Sequence, residues 1–200
     1  MIVLVEGPRH SGKTHLLNKF FEQNKDPRIE YYKWYLVDWI KTLGLEGREQ
    51  RPDVHYLSLG NILTIFDMMK DRNDKILVFD RALMTAYVWA SLRGRLTMPQ
   101  CYDQLERILK SDSYRNTRTI FVNPNLSMVA PESREKDLWD NMHSAREEYV
   151  MFDDFMLEHR HLIHDRSKNN LFCNFYNEFN KESEQMFTGL LDGFTELINT

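Results

Sequence analysis

The sequence predicts an α/β fold in three layers, with a parallel five-stranded sheet between helices on both faces. Short runs of branched and apolar residues alternate along the chain with stretches whose apolar residues recur at helical spacing. The apolar runs are continuous, which is typical of strands buried on both faces. Strands that alternate with helices imply crossover connections and therefore a parallel sheet. We expect residues 1–200 to form a single domain.

The first half of the chain contains three of the predicted strands. Residues 2–5 are branched and apolar, a glycine turn follows, and Leu16, Leu17 and Phe20 then share one face of a helix. Ser58 is the predicted N-cap of the third helix. The predicted elements are strands at residues 2–5, 29–33 and 75–80, helices at 13–23, 35–43 and 58–69, and a loop at 44–54.

The second half continues the alternation of helices and strands. Its two apolar runs are short and branched or aromatic, and each lies between helical patterns. The predicted elements are helices at residues 81–92 and 99–109, a strand at 119–122, a long helical region at 134–161, a strand at 171–175 and a terminal helix at 181–198.

Composition narrows the function classes. The formal net charge of −4 gives no global positive field that would attract nucleic acid or an anionic membrane. Cys101 and Cys173 are far apart and outside any C-x-x-C spacing, which argues against a disulfide framework and a structural zinc site. No window approaches the roughly 20 apolar residues of a membrane span. We therefore expect a cytoplasmic protein with no membrane partner.

The turn after the first strand carries the most specific motif in the chain. It matches G-x-x-x-x-G-K-T in full, between a predicted strand and a predicted helix. Its two glycines permit backbone angles that turn successive N–H groups inward around phosphate oxygens, and the positive end of the helix dipole points to the same place. The predicted phosphate-binding residues are Gly7, Pro8, Arg9, His10, Ser11, Gly12, Lys13 and Thr14.

Two side chains of this loop have predicted chemical roles. Lys13 would reach the β and γ phosphates of a nucleotide and act in catalysis, and the Thr14 hydroxyl would bind Mg²⁺. The chain contains no N-K-x-D guanine motif, so the sequence favours ATP over GTP. ATP and Mg²⁺ are therefore the predicted cofactors.

A carboxylate and a guanidinium follow the third predicted strand. Asp80 ends that strand, so in a parallel sheet it lies at the same edge as the phosphate loop and could hold Mg²⁺ directly or through water. Arg81 offers a planar fork for a phosphate or for charge that develops during transfer. We predict catalytic roles for both residues. The alternative is that the pair only caps the helix that follows.

Three segments of the chain resemble thymidylate kinases and deoxynucleoside kinases of the P-loop kinase superfamily. Glu6-Gly7 resembles the strand and loop opening of thymidylate kinases. Residues 80–85, Asp-Arg-Ala-Leu-Met-Thr, resemble their D-R-x-x-x-S signature and the E-R-S signature of deoxynucleoside kinases, with Thr85 where they have serine. Asn123-Pro124 and the long helix containing Glu147, Glu148 and Tyr149 resemble their lid region.

The resemblance implies an ATP-dependent kinase that acts on a small nucleoside or nucleoside monophosphate. It also implies a helical lid at about residues 125–150, in which Arg134 closes over the ATP phosphates. Dimers are common in these families, so the resemblance is compatible with a homodimer. The chain departs from the families after the second strand, where it has Lys33-Trp34-Tyr35 in place of an acidic residue.

That departure leaves the acceptor pocket open to more than one interpretation. Asp38 is the nearest carboxylate after the second strand and is a candidate general base, or else a solvated helix position. Trp34 and Trp89 are candidates for stacking on a base, although aromatic residues at helical spacing are often core residues. Thr85 completes the set of candidate acceptor-binding residues.

Two other functions remain open at this stage. The first keeps the ATP site but uses a hydroxymethylated base or an end in DNA as the acceptor, as resemblance to viral kinases that modify DNA bases would imply. Such a protein needs a basic groove, and the net negative charge counts against it. The second is a nucleotide-dependent switch that hydrolyses ATP or GTP slowly and has no small acceptor.

Overall fold

A single parallel sheet organises the protein. The computed structural model describes residues 1–8, 11–33, 44, 52–124, 145–166 and 171–175, with residues 188–189, 191–192 and 195–196 near the end. The strands are β1 (Ile2–Glu6), β2 (Ile29–Lys33), β3 (Ile76–Asp80), β4 (Thr117–Pro124) and β5 (Leu171–Phe175). They are arranged in the order β2-β3-β1-β4-β5, and every neighbouring pair is parallel.

Five helices accompany these strands in the described residues. They are α1 (Lys13–Gln23), α2 (Pro52–Met69), α3 (Leu83–Leu92), α4 (Met98–Lys110) and α5 (Ala145–Arg166), with a 3₁₀ turn at Asp112–Tyr114. The predicted α/β class, with a parallel sheet and helices, is confirmed. Of the helices that the structure describes, none has both the length and the apolar composition that a membrane span requires.

The two faces of β1 separate the core into two layers. Val3 and Val5 pack with α1, while Ile2 and Leu4 pack with the layer that contains α2, α3, α4 and α5. All four side chains are at most 1% exposed. Because successive side chains of a strand point to opposite faces, Glu6 falls on the side of α2 to α5, in an otherwise apolar layer.

The prediction that Ser58 caps a helix is wrong. Helix α2 begins six residues earlier, at Pro52, a residue suited to a first helical turn because its missing N–H would have no helical partner. Ser58 is buried inside the helix, where its Oγ donates to the carbonyl oxygen of Val54 over 3.0 Å. A hydroxyl that bonds one turn back is compatible with a helix interior, and the sequence pattern does not distinguish the two uses.

Most other predicted elements agree with the structure or lie outside the described residues, but the long helix predicted to end at residue 161 continues to Arg166. The predicted bounds of α1 and β2 match those observed, and Thr97 with Gln100 forms a capping box that starts α4 at Met98. The predicted helix at 35–43, most of the loop at 44–54, the segment 125–144 of the predicted lid and most of the terminal helix lie outside the described residues.

Candidate active site

The backbone of the loop after β1 depends on two glycines. Gly7 has φ 144° and Gly12 has φ 89°, both in the region that side chains avoid. A Cβ on Gly7 would lie 2.2 Å from the carbonyl oxygen of Val122 in the adjacent strand β4. Gly12 has open space around it, so only its backbone angle favours glycine. Gly7 is therefore fixed by both packing and conformation.

The side chain of Lys13 folds back over the loop. Its ammonium donates to the carbonyl oxygen of Pro8 and, over 2.9 Å, to Ser11 Oγ. Lys13 and Ser11 are each 4% exposed. This arrangement encloses a cation within the curve of the loop, at the start of α1, where the helix dipole adds further positive potential.

Charges at the sheet edge act on Lys13 in both directions. Burial lowers the pKa of its ammonium well below the ordinary value, and the Arg81 guanidinium lowers it further. The carboxylates of Glu148, Asp80 and Glu6 raise it. Without a bound anion the site thus disfavours the charged form of Lys13. A bound polyphosphate would favour that charged form.

Asp80 lies beside the loop because β3 is the direct neighbour of β1, with Asp80 opposite Val5. Its Oδ2 accepts a hydrogen bond from Thr14 Oγ1 over 3.4 Å and one from the hydroxyl of Tyr31 over 3.1 Å. Neither contact belongs to α3, the helix that follows. The contacts of Asp80 therefore do not support the alternative that it is a helix cap.

The two oxygen donors at this edge fit a hard divalent cation. A hydroxyl from Thr14 and a carboxylate from Asp80 are ligands that Mg²⁺ takes, and Mg²⁺ is commonly held by one or two protein groups together with substrate phosphates and water. Within the described ranges there is no group of three or more His, Cys, Asp or Glu residues that would hold a metal alone. The residues present fit a cation that arrives with a nucleotide.

Arg81 adopts a conformation that is unusual for a residue with a side chain. Its φ is 68°, in the left-handed region, and its N–H donates to the carbonyl oxygen of Val5 over 3.0 Å. Its Nη1 lies 3.4 Å from Glu148 Oε1, and the Glu148 side chain is fully buried in the first turn of α5. Strained backbone of this kind is concentrated at functional sites.

Glu6 connects the phosphate loop to helix α3. Its Oε1 accepts the N–H groups of Ala82 and Met84 over 3.1 and 2.9 Å, and its Oε2 accepts the N–H and hydroxyl of Thr85 over 3.2 and 2.6 Å. Burial raises the pKa of Glu6, and these hydrogen bonds counteract part of that rise. Glu6 thus caps α3, because the N-cap residue of that helix, Ala82, has no hydrogen-bonding group in its side chain.

The candidate acceptor-binding residues are only partly placed by the structure. Thr85 is 2% exposed and bound to Glu6, so it lies beneath the site edge. Trp89 follows one turn later on α3, with the Arg93 guanidinium 4.8 Å from the centre of its ring. Five predicted site residues lie outside the described residues: Arg9, His10, Trp34, Asp38 and Arg134.

Three residues of this constellation were not among the predicted site residues: Glu6, Tyr31 and Glu148. Glu148 stood in the sequence only within the segment that resembles a kinase lid, with no role of its own. Glu6 is a lone carboxylate in a continuous apolar strand, and a buried carboxylate needs donors, so the sequence did carry a signal for it. The sequence carried no signal for Tyr31, because its contact with Asp80 depends on β2 lying next to β3.

The strand order and the loop at the end of β1 give this chain the P-loop kinase fold. No protein-family model matches the sequence, and no curated protein matches it. Among solved structures, it is similar to a NadR protein in complex with NR, with a TM-score of 0.60, 14% identity and coverage of 100% of this chain and 51% of that one. The chain thus spans about half the length of that NadR protein.

Two further solved structures resemble the chain over nearly its whole length. Deoxyadenosine kinase from M. mycoides with bound dCTP has a TM-score of 0.57, 9% identity and coverage of 98% of this chain and 100% of that one. Shikimate kinase from Bacteroides thetaiotaomicron has a TM-score of 0.50, 9% identity and coverage of 100% and 99%. At these identities the likeness establishes the fold alone.

Proposed function

We propose that this protein is an ATP-dependent phosphotransferase that moves the γ-phosphoryl group to a nucleoside or nucleoside monophosphate. The observation that carries the proposal is the 3.4 Å contact between Thr14 Oγ1 and Asp80 Oδ2. It joins the helix that begins in the phosphate loop to the strand end that bears Asp80 and Arg81. Both halves of a phosphoryl-transfer site thereby meet at one edge of the sheet.

The loop residues would hold the triphosphate of ATP. Backbone N–H groups at residues 11–14 would contact the phosphates, and Lys13 would exchange its contacts with Pro8 and Ser11 for the β and γ phosphates. Thr14 and Asp80 would hold Mg²⁺, which when bound would neutralise charge on the β and γ phosphate oxygens. The hydroxyl and carboxylate oxygens of these two residues are what favours Mg²⁺ as a cofactor.

Transfer requires little covalent chemistry from the protein. An acceptor oxygen forms a bond to the γ phosphorus while the bond from that phosphorus to the β–γ bridging oxygen breaks, and ADP leaves. Lys13 and Arg81 stabilise the charge on the transferred group, and the elements that carry them keep donor and acceptor aligned. Two observations support this role for Arg81: its guanidinium is close enough to Lys13 to lower the pKa of the Lys13 ammonium, and it contacts the buried Glu148.

One observation favours a nucleoside-type acceptor: residues 80–85 resemble the signatures of thymidylate and deoxynucleoside kinases. The fold shared with a deoxyadenosine kinase is compatible with this acceptor but does not select it, because a shikimate kinase shares the fold as well. A nucleoside monophosphate presents an anionic oxygen and needs chiefly cationic positioning, whereas a hydroxyl acceptor also needs a base to take its proton.

A transfer assay with a panel of acceptors tests this proposal. The protein is incubated with Mg²⁺ and γ-labelled ATP, and nucleosides, nucleoside monophosphates, shikimate and hydroxymethylated DNA are offered in parallel. We expect label in a nucleoside or nucleoside monophosphate product. We also expect Arg81→Ala to reduce transfer while ATP binding is retained, with the exposed Arg107→Ala as the matched control.

The other outcomes of the panel assign the alternatives. Label in hydroxymethylated DNA alone would replace the small acceptor by a DNA base. Release of labelled inorganic phosphate with no labelled acceptor would indicate a nucleotide-dependent switch. Either result would contradict the proposed acceptor class.

A further inference from the structure

Asp80 is held by two hydroxyl groups that reach it from different elements. Both Tyr31, from β2, and Thr14, from α1, donate to the same oxygen, Oδ2, over 3.1 and 3.4 Å. The Asp80 residue is 4% exposed, so few waters compete with these donors. Two donors on Oδ2 fix the rotation of the carboxylate, and the direction of Oδ1 is thereby fixed as well.

The sheet register explains how Tyr31 reaches Asp80. Tyr31 pairs with Val78, two residues before Asp80, and both side chains lie on the face covered by α1. The ring of Tyr31 packs at 5.2 Å from that of Phe21 in α1. This ring contact directs the hydroxyl along the strand toward the carboxylate.

We propose that Tyr31 is a positioning residue for the metal–nucleotide complex, acting through Asp80; this inference rests on the proposed function. The Tyr31 hydroxyl keeps the Asp80 carboxylate in the orientation that a cation on Thr14 requires. Partners of this kind behind a metal ligand commonly account for 10- to 100-fold in metal affinity. Because Tyr31 is 40% exposed, we expect the lower end of this range, roughly 10-fold.

The neighbouring tyrosine provides a matched control. Tyr32 is 41% exposed, almost the same as Tyr31, but its ring stacks on Phe79 on the opposite face of the sheet, 5.3 Å between ring centres. Tyr31→Phe and Tyr32→Phe each delete one hydroxyl from β2 and keep the ring. Only the first deletion removes a donor to Asp80.

The test measures metal and nucleotide binding separately. Mn²⁺ serves as the paramagnetic probe, and free Mn²⁺ is quantified by electron paramagnetic resonance with the protein in excess over AMP-PNP, so that the nucleotide is protein-bound. AMP-PNP affinity is measured again with EDTA. We expect Tyr31→Phe to weaken Mn²⁺ binding by roughly 10-fold, with AMP-PNP affinity in EDTA unchanged, and Tyr32→Phe to change neither.

A second comparison separates positioning from general destabilisation. If Tyr31 acts through Asp80, then adding Tyr31→Phe to Asp80→Asn has no further effect on Mn²⁺ affinity.

Three outcomes would contradict the account. Equal Mn²⁺ affinities of Tyr31→Phe and Tyr32→Phe would overturn the role of Tyr31 and leave the proposed function standing. If Tyr31→Phe weakened AMP-PNP binding equally with Mn²⁺ and with EDTA, the role of Tyr31 would also be overturned. A wild-type protein that binds AMP-PNP no more tightly with Mn²⁺ than with EDTA would overturn the proposed function as well.

Discussion

The hydroxyl of Thr85 donates to the carboxylate of Glu6 over 2.6 Å, which joins the residue before the phosphate loop to the helix after Asp80-Arg81. The two residues are 79 positions apart in the chain. Glu6 also accepts three backbone N–H groups at the start of α3. The hydrogen bonds of the buried Glu6 carboxylate therefore fix the position of Arg81 relative to the loop.

Replacing that carboxylate is expected to destabilise the fold. In Glu6→Gln, the amide nitrogen would face N–H donors in place of an oxygen, so we expect a loss of about 1–3 kcal/mol in the free energy of unfolding. Urea denaturation measures this change, with Glu22→Gln, at an exposed position of α1, as the control. Equal stability of Glu6→Gln and Glu22→Gln would contradict the capping role.

The two loop glycines should respond differently to alanine. At Gly7 a Cβ would collide with the carbonyl oxygen of Val122 at 2.2 Å and the φ of 144° is unfavourable, so we expect a loss above about 2 kcal/mol and loss of nucleotide binding. At Gly12 only the backbone angle is strained, and we expect a loss of about 1–2 kcal/mol. Denaturation and nucleotide titration check both variants.

A glycine outside the loop controls for the substitution itself. Gly60 lies in helix α2 with open space around it, so Gly60→Ala should raise stability by about 0.5–1 kcal/mol. If the Gly7→Ala protein were as stable as the Gly60→Ala protein, the close contact between Gly7 and the carbonyl oxygen of Val122 would be contradicted.

Nucleotide binding should be coupled to proton uptake at Lys13. In the empty site burial lowers the pKa of Lys13 well below its ordinary value, and a bound polyphosphate raises it again. Between the two pKa values binding therefore takes up a proton, so affinity falls as pH rises. At alkaline pH, where the phosphates of ATP are already ionised, calorimetry in two buffers of different ionisation enthalpy measures this uptake.

The matched variant for this measurement is Lys13→Gln, which cannot titrate. Its binding, although weaker, should show no uptake. Proton release by the wild-type protein at that pH, or uptake that persists in Lys13→Gln, would assign the coupling to another group.

Glu148 should affect turnover more than binding. Glu148→Gln removes the negative charge beside Arg81 but keeps the shape of the side chain, so the guanidinium is less firmly positioned. We expect kcat to fall about 10- to 100-fold, with little change in the KM for ATP. Steady-state kinetics with Glu158→Gln, at an exposed position of α5, as control tests this. A raised KM with unchanged kcat would place Glu148 in nucleotide binding instead.

Local patterns in the sequence were sufficient for most of this architecture. The positions of the glycine-rich loop and of Asp80 at the ends of neighbouring strands could be predicted because a continuous apolar run marks each strand. The Glu6 contacts join residues that are up to 79 positions apart, so they follow only once β1 and α3 are placed together. The Tyr31 contact requires the register of β2 on β3. Ser58 was misassigned because a buried serine can bond to the preceding turn.

The most direct test of the phosphate-binding loop is phosphoryl transfer from γ-labelled ATP by the Lys13→Ala protein. Lys19→Ala, on the same helix but outside the loop, is the matched control. We expect transfer by Lys13→Ala to fall about 10²- to 10³-fold or more, while Lys19→Ala retains the wild-type rate. Transfer by Lys13→Ala at the wild-type rate would contradict the central claim that this loop binds the triphosphate during the reaction.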